Sequence, residues 1–567
     1  MPKTTPSTYV AEPELEIEGQ PAPIKLMENL LQISIEESLH LPSMFTIVVN
    51  NPDFPGLSDQ PTLEPRQANK LWDHEALFAI GKSVRIGFRN STTAASEFQV
   101  QEKDWIIVGE ITAIETHFTS GSQAPIMIRG YDRSHRLHRG HHNRSFQNMT
   151  DTDIVKKIIR EVDVPAGSIE DSGAPHDYVF QENQTNLEFL RERAARNGFE
   201  LFVQNGKLNF HKPKNNQALE LAWLEQIASF QVSVSSAKQV DAVEVRGWNY
   251  KQKKAIVATR NQDTILTQTD QGKGKTTSSA FQGKPNAPKL IVVDQPIATQ
   301  QEADKIAQSL FNELSDEFVH ADALAQGHPS IRPGRVAKLK GMGKYSGDYY
   351  ITETHHRLSE GVYTTAFSIR GLRGGDLLSL LAPPIRLQPG QTLLIGQVTN
   401  NDDPEGLGRV RVEFPTLTED HDSAWARVVA IGAGKNRGFD CLPEIDDEVL
   451  VGFEHGDIHR PFVIGGLWNG SDEPPESVSN SVMGSKVRLR TIKTRTGHQI
   501  QFVEEPSGGS QAGITIKTVG GHLVQMNDTD RSITLSSTGN LKITAVGNID
   551  ISATGIITVQ GAMIKLN

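Results

Sequence analysis

A mainly β protein is predicted, closing in a β-helix that three chains build together. Three observations point there: strand-like alternation through the first part of the chain, few amphipathic helical stripes, and an eight-residue apolar repeat at the C-terminus. The chain has 567 residues, too many for one hydrophobic core, so roughly three to five domains are expected.

Residues 1–20 are polar and acidic and read as a flexible arm. From Ile24 to Arg129 apolar residues alternate in Leu31–Ile35, Phe45–Val49, Val84–Phe88, Trp105–Val108 and Ile126–Ile128, the pattern of half-buried strands. Pro52 to Lys70 carries four prolines and reads as a loop insertion. A helical insertion is expected at about 149–200. Thr150 with Asp151 and Asp153 offers an N-cap, and Ile154, Val155, Ile158 and Ile159 form one stripe. A second helix fits Asn186–Asn197, ended by Gly198. Asn205-Gly206 then turns a hairpin within Phe199–Phe210. Strands resume near Phe230–Tyr250, a third helix fits Thr299–Leu314, and strands return over Gly334–Gly371.

The region 21–375 is followed by a Gly- and Pro-rich linker at 376–392, a block of short strands at 393–470, and a connector at 471–486 containing Pro474-Pro475. The tail, 487–567, becomes strictly repetitive from Arg531. Ile533, Leu541, Ile549 and Ile557 are spaced by eight, as are Leu535, Ile543, Ile551 and Val559. Gly539, Gly547 and Gly555 keep the same interval and mark corners where the backbone turns. Ile564 and Leu566, just after Met563, close the series one residue out of register. Two apolar residues separated by a polar one share a strand face. Eight residues make about one short strand and a corner, too little to enclose a core alone. Three chains sharing each rung meet that need, with the eight apolar residues on a common axis. An isolated edge strand also alternates, but does not align three series at one interval. No aromatic residue follows Phe502 and no proline follows Pro506, consistent with a narrow prism that uses every backbone N–H.

The net charge of −11 argues against attraction to nucleic acid. Cys441 is the only cysteine, so no intrachain disulfide or CxxC metal framework exists. The first 20 residues lack the pattern of a signal peptide, and no apolar run approaches a membrane span. Manufacture in a bacterial cytoplasm, without stable membrane insertion, is therefore expected.

Gly130-Tyr-Asp-Arg-Ser-His135-Arg-Leu-His-Arg, Thr150-Asp-Thr-Asp-Ile154 and Gln181-Glu-Asn-Gln-Thr-Asn-Leu-Glu-Phe189-Leu190 resemble VgrG proteins and phage tail hub proteins. The block Gly396 to Asp402-Asp-Pro-Glu-Gly-Leu-Gly408-Arg-Val-Arg-Val is similar to the OB-fold of baseplate spike proteins, as are Ala424-Trp425-Ala-Arg427, Phe453-Glu-His-Gly456-Asp457 and Gly465-Gly-Leu-Trp468. The resemblance implies a hub of two β-barrel domains with helical insertions, an OB-fold, and a trimeric β-helix spike. It also implies a homotrimer at the tip of a contractile injection system, joined to inner tube, hub adaptor and baseplate proteins and possibly carrying cargo effectors. With no lysozyme domain between OB-fold and β-helix, the chain looks most like the spike of an extracellular or tailocin-like particle. No His lies in Gly561–Asn567 for an iron-binding tip, so a separate PAAR-type tip protein is implied, docking on Met563, Ile564 and Leu566.

No cofactor, metal site or catalytic residue is expected. His135, His138, His141 and His142 stand among Arg133, Arg136, Arg139 and Arg144, which repel a cation. His355 and His356 are adjacent on a strand and face opposite ways. Gly272-Lys-Gly-Lys275-Thr276 lacks the first glycine of a phosphate loop. HExxH and GxSxG are absent. Between Gln391 and Gly470 there are 14 acidic and 6 basic residues, the wrong balance for a nucleic-acid groove; Trp425 and Trp468 are expected in cores or trimer contacts. An enzyme remains the alternative: a phage-type spike with cryptic peptidoglycan-degrading activity.

Overall fold

The computed structural model describes residues 12–50, 76–89, 105–116, 125–215, 218–293, 296–297, 299–371, 389–418, 422–505 and 511–565. The Pro52–Lys70 insertion, most of the 376–392 linker and Leu566 lie outside them. Two compact units result: residues 1–249 with 254–466, and residues 250–253 with 467–567.

In the first unit one eleven-stranded sheet runs through both halves of the region treated above as two barrels. Its N-terminal part is built from Glu12–Ile17, Gln20–Pro21, Leu30–Ser38, Met44–Val49, Ser83–Arg89, Trp105–Thr116 and Ile126–Asp132. Its other part is Ile227–Val234, Val319–Gln326, Glu353–Ser359 and Val362–Ile369. The two join where Glu353–Ser359 pairs antiparallel with Leu30–Ser38. The expectation of a flexible arm over 1–20 is corrected over 12–17, residues 1–11 lying outside the described residues: Glu12–Ile17 pairs with Ser83–Arg89, because Leu15 and Ile17 bury against the first core. Alternation there was hidden by the intervening glutamates, which line the sheet's outer face.

Around this sheet lie four smaller sheets and three longer helices, α1 (Asp151–Glu161), α2 (Asn186–Asn197) and α3 (Gln300–Asp316). Each helix begins on a threonine. Thr150 and Thr185 form capping boxes with Asp153 and Glu188, and Thr299 accepts from the Glu302 N–H. Gly198 ends α2 at φ 66°, and Asn205-Gly206, at φ 52° and 71°, turn the hairpin Glu200–Gln204/Lys207–His211. α1 and α2 share the core of Ile154, Val155, Ile158, Phe189 and Leu190.

Asp151 ties these helices together. Its carboxylate, 3% exposed, accepts from Arg193 Nε at 2.5 Å and Asn197 Nδ2 at 2.7 Å, with His176 Nε2 at 3.2 Å. Burial pushes the carboxyl up, but these partners outweigh it and hold it at about 2. A depressed acid adds stability above its unfolded value near 3.8 and loses it as pH falls through about 2. That coupling is worth about 2 kcal/mol. Asp151→Asn is expected to lower the urea midpoint at pH 7 and to match the wild type at pH 2, read by the denaturation midpoint across pH.

The block 394–466 closes as a five-stranded barrel of Leu394–Asn400, Arg409–Glu413, Ala426–Val428, Pro461–Gly466 and Glu448–Phe453. Val398, Val410, Val412, Val449, Val451 and Val463 are fully buried inside it. Asp403, in the Asp-Pro-Glu-Gly loop, accepts from the backbone N–H of Glu405, Leu407 and Arg409 and from the Arg409 guanidinium, which holds its carboxyl well below the usual range. Trp425 lies outside the core, half-buried beneath Arg411 at 5.0 Å and Arg409 at 5.8 Å, and Trp468 is exposed. Of the two expected places, a core is ruled out for both because the valines already fill the barrel, which leaves the trimer contact. Trp248 reaches this barrel from the strand Ala242–Asn249, donating to the buried Glu448 at 2.9 Å.

The second unit carries a meander of five antiparallel strands: Leu489–Lys493, Gln499–Val503, Gly513–Lys517, Leu523–Asn527 and Ser532–Ser536. The tip Tyr250–Lys253 groups with it. The Gly470 N–H donates to the Tyr250 carbonyl at 2.9 Å, and a Cβ at Gly470 would lie 1.7 Å from the Lys251 carbonyl oxygen. Among the described residues no helix is long and apolar enough to cross a membrane.

Candidate functional site

The register of the meander sorts its side chains onto two faces. Ile492, Ile500, Ile516, Val524 and Leu535 stand opposite one another in a row across all five strands. Phe502, Ile514, Met526 and Ile533 form a second row two residues along, on the same face. Between the rows, on the opposite face, run Thr491, Gln501, Thr515, Gln525 and Thr534. Gln501 Nε2 donates to Thr491 Oγ1 at 3.1 Å and to Glu476. One face is therefore mainly an apolar plate, with Arg490 at its edge, and the other carries a central ladder of hydroxyls and amides flanked by Leu489, Val503 and Leu523.

The apolar plate is not covered within one chain. Ile492, Ile500, Phe502, Ile516 and Met526 are 37–49% exposed, and Leu535 and Ile533 on the last strand reach 59% and 72%. Ile533 and Leu535 join the plate to the octad series. Leu541, Ile543, Ile549, Ile551, Ile557 and Val559 follow, each at least half exposed, in a stretch that forms no ladder with the rest of the chain. Contiguous exposed apolar surface of this extent marks an interaction site rather than a free surface. Gly539, Gly547 and Gly555 show neither a left-handed φ nor any atom within 4 Å of an added Cβ. Nothing within one chain demands glycine there. Met563 and Ile564 are exposed at the end of the described residues.

Ile492, Ile500, Phe502, Ile514, Ile516, Val524 and Met526 were missed by sequence reasoning. The signal was present as apolar-polar-apolar triplets, Ile500-Gln-Phe502, Ile514-Thr-Ile516 and Val524-Gln-Met526. Their spacing is irregular until it settles at eight, so no single period finds them.

The other candidate clusters resolve as internal contacts. His135 and Arg136 both hydrogen-bond Glu110, whose carboxyl burial pushes up but these partners bring below its usual range. Arg144 is held by Gln181, Asn186 and Glu161. His355 bonds Ser34 Oγ at 2.7 Å, while His356 is buried on the opposite face, bonded to Tyr363 OH at 2.8 Å. Lys273 and Lys275 of the glycine-rich stretch bond Asp263 and the Asn261 carbonyl.

Comparison with known proteins adds the following. Residues 394–468 match the family described as the Type VI secretion system/phage-baseplate injector OB domain, on the closed barrel. Residues 93–360 match one described as an Alg8 N-terminal domain. The type VI secretion system spike protein VgrG3 of Vibrio cholerae is 22% identical over 500 residues, covering 79% of this chain and 46% of that protein. The type VI secretion system spike protein VgrG1a of Pseudomonas aeruginosa is 27% identical over 223 residues, 36% of this chain and 34% of the relative. The prophage MuSo2 tail protein from Shewanella oneidensis superposes at TM-score 0.46 and 15% identity, covering 65% of this chain and 100% of that one. The chain spans about half the length, or less, of the curated relatives it matches.

Proposed function

Because this chain belongs to the VgrG and phage baseplate hub-spike family, we propose that three copies assemble through their C-terminal units into a rigid spike at the tip of a contractile injection machine. The observation that carries the reading is the apolar plate running without interruption from Ile492 into the octad series and left uncovered by its own chain. Three copies turning these faces inward bury the exposed remainder of each Ile, Leu or Val, worth about 1–2 kcal/mol apiece. The polar Thr and Gln ladder then faces water. The eight-residue interval lets each chain supply one side of every rung. Glycine at 539, 547 and 555 is then required by the approach of neighbouring chains.

The action is mechanical. Contraction drives the inner tube forward, and the spike leads it through the target envelope. The hub domains seat the trimer on the tube and baseplate. Met563, Ile564 and Leu566 receive a PAAR-type tip protein, and cargo effectors travel with the assembly. The chain is made in the bacterial cytoplasm and becomes part of a phage tail-like particle. It has no catalytic role, so the purified trimer releases no peptidoglycan fragments.

Light scattering coupled to size-exclusion chromatography tests the reading. The expected mass is three times that of the chain and holds on dilution. A monomer at micromolar concentration overturns it.

A further inference from the structure

Helix α3 ends on a buried carboxylate that the spike assembly does not use. Asp316 is 3% exposed, and its Oδ2 accepts no hydrogen bond. It lines a cavity of about 210 Å³ together with Asp263, Thr267, Thr269, Lys273 and Ser315. The Asp263 side chain is 4% exposed and accepts from the Lys273 ammonium at 2.8 Å. Two buried carboxylates thus share one ammonium, and that ammonium sits on Asp263. Thr267 Oγ1 accepts from the Tyr350 N–H at 3.2 Å, which leaves its own proton for Asp316.

An ionised carboxylate in this position is costly unless a positive charge meets it. Burial, with Glu317 and Asp263 adding to it, pushes the Asp316 carboxyl up to about 7. As pH rises above about 7 a proton no longer fills that role. The cavity offers what a hard cation seeks: carboxylate oxygens and the hydroxyls of Thr267, Thr269 and Ser315. Of the charged groups that line the cavity, two carboxylates stand against one ammonium, a single negative charge, while Glu317 and His320 act on Asp316 from outside the lining. Asp316 also lines a wider cleft of about 710 Å³ beside Lys305, Gln308 and Asn312, which supplies a route inward.

We propose that the cavity between the C-terminal end of α3 and the 263–274 loop binds a hard monovalent cation of the sodium class, held by Asp316 and the neighbouring hydroxyls. The ion ties the end of α3 to that loop and neutralises the buried carboxylate.

The test is thermal denaturation of the full chain at pH 8.5 and constant ionic strength, in sodium chloride or tetramethylammonium chloride. The bulky organic ion screens charge equally but cannot be coordinated by these oxygens. Sodium is expected to raise the melting temperature by about 2 °C. The difference is expected to vanish in Asp316→Asn and to shrink in Asp263→Asn, the second variant serving if the first folds poorly. Equal melting temperatures in the two salts overturn the proposal, as does a sodium effect of undiminished size in Asp316→Asn. A rise seen only with calcium chloride overturns the monovalent assignment.

Discussion

Ile516→Asp is expected to abolish trimer formation, leaving a monomer by light scattering while the first unit keeps its far-ultraviolet signal. Ile516 sits mid-row, opposite Ile500 and Val524, and is already 42% exposed in one chain. A carboxylate there costs the single chain little. In the assembly it would bring three like charges to a common axis, each losing several kcal/mol of hydration. The loss of the isoleucine contact adds about 1 kcal/mol per chain, since 42% of Ile516 is left to bury on assembly. Thr515→Asp is the matched control. Its neighbour Thr515 lies on the polar face, opposite Gln501 and Gln525, and the variant is expected to remain trimeric. If Ile516→Asp stays trimeric, the apolar plate is not the assembly face.

Arg332→Leu is expected to destabilise the first unit by about 3–5 kcal/mol, read as a lowered urea midpoint. Arg332 is 1% exposed and bonds Glu37 at 2.6 Å, the Ile106 carbonyl at 2.7 Å and Asn205 at 3.2 Å. It therefore joins four segments on both sides of the seam at Leu30–Ser38 and Glu353–Ser359. Without it, Glu37 keeps Thr354 at 3.4 Å and the buried His356 at 3.7 Å as its nearest partners. Burial already pushes the Glu37 carboxyl up, with Arg332 pulling against it. The double variant Arg332→Leu/Glu37→Leu is expected to recover most of the loss, because it removes the orphaned acid with its partner. A double variant no more stable than the single one would show that packing, not charge, sets the cost.

Much of the local structure is written in short stretches of chain. Thr150 with Asp153, Thr185 with Glu188, and Asn205-Gly206 act within four residues, so helix starts and the hairpin turn follow from neighbours alone. The arm was misread because its alternation spans only Glu12–Ile17 and gains meaning from a partner strand some seventy residues later. The seam between Leu30–Ser38 and Glu353–Ser359 left no trace in either segment. Both look like ordinary half-buried strands, and pairing across three hundred residues is a matter of packing. Trp425 misled for a related reason: a large aromatic suggests a core, but the barrel is filled by smaller residues.

The assembly face divides along the same line. The sequence by itself determined the octad series from Ile533 to Val559, because a strict interval is visible wherever the chain goes. It also determined that the chain is mainly β, with three longer helices. The structure alone decided that Ile492, Ile500, Phe502, Ile514, Ile516, Val524 and Met526 extend the same face, since hairpins of unequal length bring them into rows. Side chains two apart share a strand face by local geometry, which a sequence displays. Which strands lie side by side, and in what register, depends on turns and hydrogen bonds that only the folded chain fixes.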